Sequence, residues 1–84
     1  MYEVYLERPA ERDLRRLSAE VFSRVLAAVH GLAQEPRPRG ARKLTGARED
    51  WRLRVGDHRV VYEIEYDARL VRVLRVRHRR EAYR

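Results

Sequence analysis

Apolar residues recur with a period of two at both ends of the chain and with a helical period between them. Tyr2, Val4 and Leu6 share one side of a short N-terminal segment, which predicts a strand over 2–6. Pro9 suits a first helical turn, and Ala10, Leu14 and Leu17 follow at helical spacing, predicting a helix over 9–17. Ser18 reads as the N-cap of a second helix, with Glu20 in its first turn where the dipole favours an acid. Val21, Phe22, Val25, Val29 and Leu32 then form an apolar stripe flanked by Leu26, Ala28 and Ala33, as expected of a helix lying on a sheet. Gly31 weakens its last turn, and Pro36 and Pro38 stop it.

The segment GARKLTGARED reads as a loop punctuated by Gly40 and Gly46. Period two then resumes in three runs, predicting strands over 51–55, 58–66 and 70–78. Gly56-Asp57 and Asp67-Ala68-Arg69 have hairpin length, so these strands are expected to be antiparallel neighbours. The tail RREAYR has room for a helical turn or an extended end. The expected architecture is α+β: one small β-α-α-β-β-β domain over residues 1–84, an antiparallel sheet with two N-terminal helices on one face.

Alternation also sorts the strand side chains. With Trp51, Leu53, Val60, Tyr62, Leu70 and Leu74 toward the core, Arg52, Arg54, Arg59, Arg75, Arg77 and Arg79 collect on the other side. Like charges converging on a sheet repel unless an anion sits among them, which suggests a phosphate-binding face. The alternative is an ordinary solvated face, neutralised by Asp57, Glu63 and Glu65.

Composition supports the first reading. The 84 residues carry 20 basic and 13 acidic side chains, a formal net charge of +7, which favours a polyanionic partner. Seven arginines and one acid, Glu81, lie between Ala68 and Arg84, whereas the signs nearly cancel from Met1 to Glu35. Lys43 is the only lysine, so the arginine bias reflects genome composition as readily as phosphate chemistry. With no cysteine there is no disulfide, thiolate metal site or cysteine nucleophile, and His30, His58 and His78 lack metal-ligand spacing. Neither a metal nor a cofactor is expected. An apolar run of about 18 residues is absent, so a soluble cytoplasmic protein without membrane contact is expected.

Several motifs, taken in order, resemble the RelE branch of the RelE/ParE toxin superfamily: A-x-R-D-L-R-R-L (10–17), A-x-x-x-L-A-x-x-P-x-P (28–38), K-L-x-G (43–46), WRLRVGDHRVVY (51–62) and VLRVRHRREAY (73–83). The resemblance implies a ribosome-dependent endoribonuclease that cuts mRNA in the A site without a metal, by attack of a ribose 2′-hydroxyl on the adjacent phosphate. It implies catalytic roles for Arg52, Arg54, Arg59, Arg79 and Tyr83. Many relatives carry lysine where this chain has Arg52 and Arg54, and arginine is a poor proton acceptor. His78, whose intrinsic pKa lies near neutrality, is therefore added as a candidate acid or base. Lys43, Arg75, Arg77 and Arg80 are candidate RNA contacts. The implied partners are the ribosome, mRNA and a small acidic RelB-like antitoxin, with the toxin monomeric alone and hetero-oligomeric with its antitoxin. Two other expectations remain open: a ParE-like inhibitor of DNA gyrase, and a catalytically inactive relative.

Overall fold

A computed structural model describes residues 1–44 and 50–82. Gly46 of the K-L-x-G motif and the candidate catalytic residue Tyr83 lie outside the described residues. The elements are β1 (Glu3–Leu6), α1 (Arg8–Arg15), α2 (Ala19–Gly31), β2 (Ala41–Lys43), β3 (Trp51–Val55), β4 (His58–Glu65), β5 (Leu70–His78) and α3 (Arg79–Ala82). The α+β class and the order of the elements in the sequence reading hold, with one strand added. β2 occupies part of the segment read as a loop, because three residues are too few to show a period.

The sheet runs β1-β5-β4-β3-β2. It is mixed rather than wholly antiparallel. The three C-terminal strands pair antiparallel through short turns, whereas β1 pairs parallel with β5, Val4 facing Val71 and Leu6 facing Val73. The two helices between β1 and the rest of the sheet form the long connection that parallel entry requires. Ser18 Oγ accepts the Val21 N–H at 3.4 Å and caps α2 as read from the sequence. Among the described residues no helix is long and apolar enough to cross a membrane.

One layer of helix covers one sheet face. Ala10 and Leu14 of α1, and Val25, Val29 and Leu32 from α2 and its end, pack on Leu53, Val60, Tyr62, Val71, Val73 and Val76. Burying each of the larger apolar side chains contributes roughly 1.5–3 kcal/mol. Phe22 sits about 100° around the helix from Val21, and at 36% exposure it falls off the stripe to which the sequence assigned it. Tyr62 is fully buried, and its hydroxyl donates to the Pro36 carbonyl at 2.7 Å, tying the exit of α2 to the middle of the sheet. Burial, with Tyr66 and Glu35 nearby, pushes the Tyr62 phenol up to about 12.

An irregularity in β5 overturns part of the predicted face assignment. Val61 pairs with Arg75, but the next residue, Tyr62, pairs with Val73, so Leu74 is an extra residue in the ladder. Val71, Val73 and Val76 therefore all face the core, while Leu70 and Leu74, which strict alternation sends inward, are only half-buried. The same bulge leaves Arg75 and Arg77 on the face away from the helices.

Candidate functional site

The sheet face away from α1 and α2 carries arginines in register. Gly56-Asp57 closes the β3–β4 hairpin, with φ +60° at Gly56, the residue that a two-residue II′ turn makes glycine. A Cβ there would also stand 2.9 Å from the Arg24 guanidinium of α2. The turn sets Arg54 opposite Arg59, and the bulged β4–β5 ladder sets Arg59 opposite Arg77. One row of the face is thus Arg54–Arg59–Arg77. The next row is Arg42–Arg52–Val61–Arg75, because the short β2 pairs Arg42 with Arg52. Gly40, Arg42, Arg52, Arg54 and Arg59 line a cavity of about 240 Å³.

Two unit charges about 8 Å apart near a protein surface repel by roughly 2 kcal/mol, so a same-sign array of this kind lowers its free energy when an anion enters. Of the three carboxylates that the sequence set against this face, Glu63 and Glu65 are engaged elsewhere. Both are held by Arg72, which also takes Glu7 at 3.2 Å, all toward the far end of the sheet. Asp57, at the turn, lies 3.9 Å from Arg79 across exposed side chains, a weak pair.

The other predicted residues separate from the array to different degrees. Arg75 folds over the sheet edge onto α1, where its Nε and Nη2 donate to Asp13 at 2.8 and 3.1 Å. Burial raises the Asp13 carboxyl, but hydrogen bonds from Arg75 and the Val76 N–H, with the charges of Arg75 and Arg77, outweigh it and leave its pKa below the ordinary range. Arg79 opens α3, its N–H donating to the Asp57 carbonyl at 2.7 Å. It stands beside the turn rather than in the arginine rows. His78 pairs with His58 in register with Val76 and Val60, on the core face, and the two rings meet edge to face at 5.2 Å. Its Nδ1 accepts the Arg80 N–H at 3.3 Å. Lys43 pairs with Trp51, on the side opposite Arg42, and Arg80 is exposed on α3. Arg42 is the member of the site that sequence reasoning missed. Alternation between Ala41 and Lys43 was its signal, too short to read without knowing that β2 pairs with β3.

The family model described as ParE toxin of type II toxin-antitoxin system, parDE, matches residues 4–83. The chain belongs to the RelE/ParE toxin superfamily. Among solved structures, this toxin superposes on the archaeal RelE of a RelE–RelB complex from Pyrococcus horikoshii OT3, with 28% identity and a TM-score of 0.82. The match covers 93% of this chain and 94% of that one. The toxin–antitoxin complex RelBE2 from Mycobacterium tuberculosis gives 29% identity and a TM-score of 0.83, over 92% of this chain and 96% of the other. The isolated E. coli RelE toxin, at 20% identity, shares the fold with a TM-score of 0.79 over 99% of this chain and 96% of its own. No curated protein matches the sequence. The toxin is thus a type II toxin of this superfamily, with a RelE-like fold.

Proposed function

We propose that this toxin is a ribosome-dependent endoribonuclease that cuts mRNA in the A site. The observation that carries the reading is the in-register row Arg54–Arg59–Arg77, of which Arg54 and Arg59 line a cavity with Arg52 and Arg42. When a ribose 2′-hydroxyl attacks the adjacent phosphorus, charge grows on the non-bridging oxygens of the phosphorane. Fixed guanidinium groups stabilise that charge and offer forked donors to the oxygens. The P–O5′ bond then breaks, leaving a 2′,3′-cyclic phosphate and a 5′ oxygen that takes a proton from solvent to become the 5′-hydroxyl. Arginine keeps its proton at neutral pH, so the array stabilises charge and the 2′-hydroxyl proton leaves to a group outside it. His78 lies on the other face of the sheet, which argues against it as that group. Tyr83 remains the candidate for stacking on an mRNA base.

The partners that fit this reading are the ribosome, its bound mRNA and a small acidic antitoxin whose carboxylates cover the arginine rows. The test is mapping of mRNA ends after translation with purified ribosomes, for the toxin and for Arg59→Ala. A drop of roughly 10²–10³ in cleavage rate is expected for Arg59→Ala. Undiminished cleavage by that variant would sink the proposed site. A second reading, inhibition of DNA gyrase, is favoured by the ParE description of the matching family. A supercoiling assay with purified gyrase separates the two: inhibition of gyrase without mRNA cleavage reverses their order.

A further inference from the structure

The sequence gives no sign that the N-terminal part of the chain attracts anions, since its charges nearly cancel. Folding sorts them. Glu7 turns to Arg72 at 3.2 Å, and Asp13, its side chain only 10% exposed, turns to Arg75 and the Val76 N–H. The carboxylates flanking and within α1 are thereby drawn onto β5, and Arg8, Arg12, Arg15 and Arg16 are left facing solvent with Glu11 alone among them. Arg8, Arg12 and Arg15 stand at i, i+4 and i+7, on one side of the helix. With Glu11 they line a depression of about 270 Å³. The Arg15–Glu11 contact is 3.8 Å long, and its side chains are 77% and 46% exposed, so it holds the arginine weakly.

We infer that this face of α1 is a second RNA-binding surface, which grips the sugar–phosphate backbone of folded ribosomal RNA while the sheet arginines act on the mRNA. The inference rests on the ribosome-dependent reading above. Two features select RNA over a protein partner. Among the described residues no apolar side chain lines the depression, whereas protein interfaces centre on buried apolar or aromatic anchors. Moreover, α1 packs on the sheet face opposite to the arginine rows, through Ala10 and Leu14. Two basic surfaces turned in opposite directions fit a large folded polyanion that surrounds the protein better than one short strand.

Equilibrium binding to purified bacterial ribosomes over a range of monovalent salt tests this, together with steady-state mRNA cleavage. Each lost phosphate contact lowers the slope of log affinity against log salt by about one, so R8A/R12A/R15A is expected to lower it by about three. Ribosome affinity is expected to fall roughly tenfold or more at low salt, with KM raised and kcat retained. Arg59→Ala is expected to do the reverse, losing kcat with the slope changed by about one at most. R8K/R12K/R15K, which keeps the charge, is expected to restore binding, and thermal unfolding checks that each variant folds. Wild-type affinity and slope in R8A/R12A/R15A would overturn the inference and leave the nuclease reading intact, as would a defect confined to antitoxin binding. Failure of the unmodified toxin to bind ribosomes would overturn both.

Discussion

Arg77 and Arg79 look alike in the sequence, two positions apart on what reads as one side of one strand. The fold separates them: Arg77 faces Arg59 within the array, and Arg79 starts α3 beside Asp57. Transition-state charge is stabilised only by donors already aimed at it, so Arg77→Ala is expected to cost roughly 10²–10³ in cleavage rate and Arg79→Ala distinctly less. Single-turnover cleavage on ribosomes measures both, and equal losses would place Arg79 in the site after all. Tyr62 makes the same point for stability. Tyr62→Phe keeps the buried ring but strips the Pro36 carbonyl of its donor, at a cost of about 1 kcal/mol. For a chain of this size that corresponds to a fall in Tm of roughly 4–8 °C, readable by calorimetry.

At the scale of elements, the bulge in β5 decides which side chains reach the array, and α1 holds that bulge through one carboxylate. Asp13 bonds the N–H of Val76 and the guanidinium of Arg75, the two residues that follow Leu74. Asp13→Asn keeps the shape but removes the charge from both contacts, and is expected to cost about 2 kcal/mol. Because the Asp13 pKa is lowered in the folded protein, its contribution is present above the unfolded value of about 3.9 and is lost as pH falls through the lower folded value. Urea titrations from neutral pH down to pH about 2 are expected to show a gap between the toxin and Asp13→Asn that closes at the acid end. A gap that stays constant down to the acid end would show that the Asp13 charge is not what the variant loses. The hairpin turn is equally local: Gly56→Ala requires both a left-handed alanine and displacement of Arg24.

Over the whole molecule, pairing of carboxylates decides where the positive charge is felt. Arg72 gathers Glu7, Glu63 and Glu65, and Arg75 takes Asp13, so these four carboxylates are drawn onto β5, apart from the arginines of the sheet face and of α1. Five arginines, Arg42, Arg52, Arg54, Arg59 and Arg77, supply the sheet surface. If each meets one phosphate, they contribute a slope of roughly −3.5 to −4.5 to log affinity against log salt for RNA. Restoring Arg42, Arg52, Arg54, Arg59 and Arg77 one at a time to an all-glutamine background would show that slope building in steps.

Periodicity alone determined both long helices, the three C-terminal strands, their hairpins and the side of β3 and β4 that carries arginine. Those features depend on contacts between residues a few positions apart, where a repeat of two or of 3.6 is visible in the chain. Tertiary structure decided the rest. The parallel entry of β1, the pairing of β2 that brings in Arg42, and the bulge at Leu74 all depend on partners distant along the chain. So do the ion pairs of Arg75 with Asp13 and of Arg72 with Glu7. A carboxylate's partner is chosen by proximity in the fold, where Coulomb attraction and desolvation act, and spacing along the chain carries no record of it.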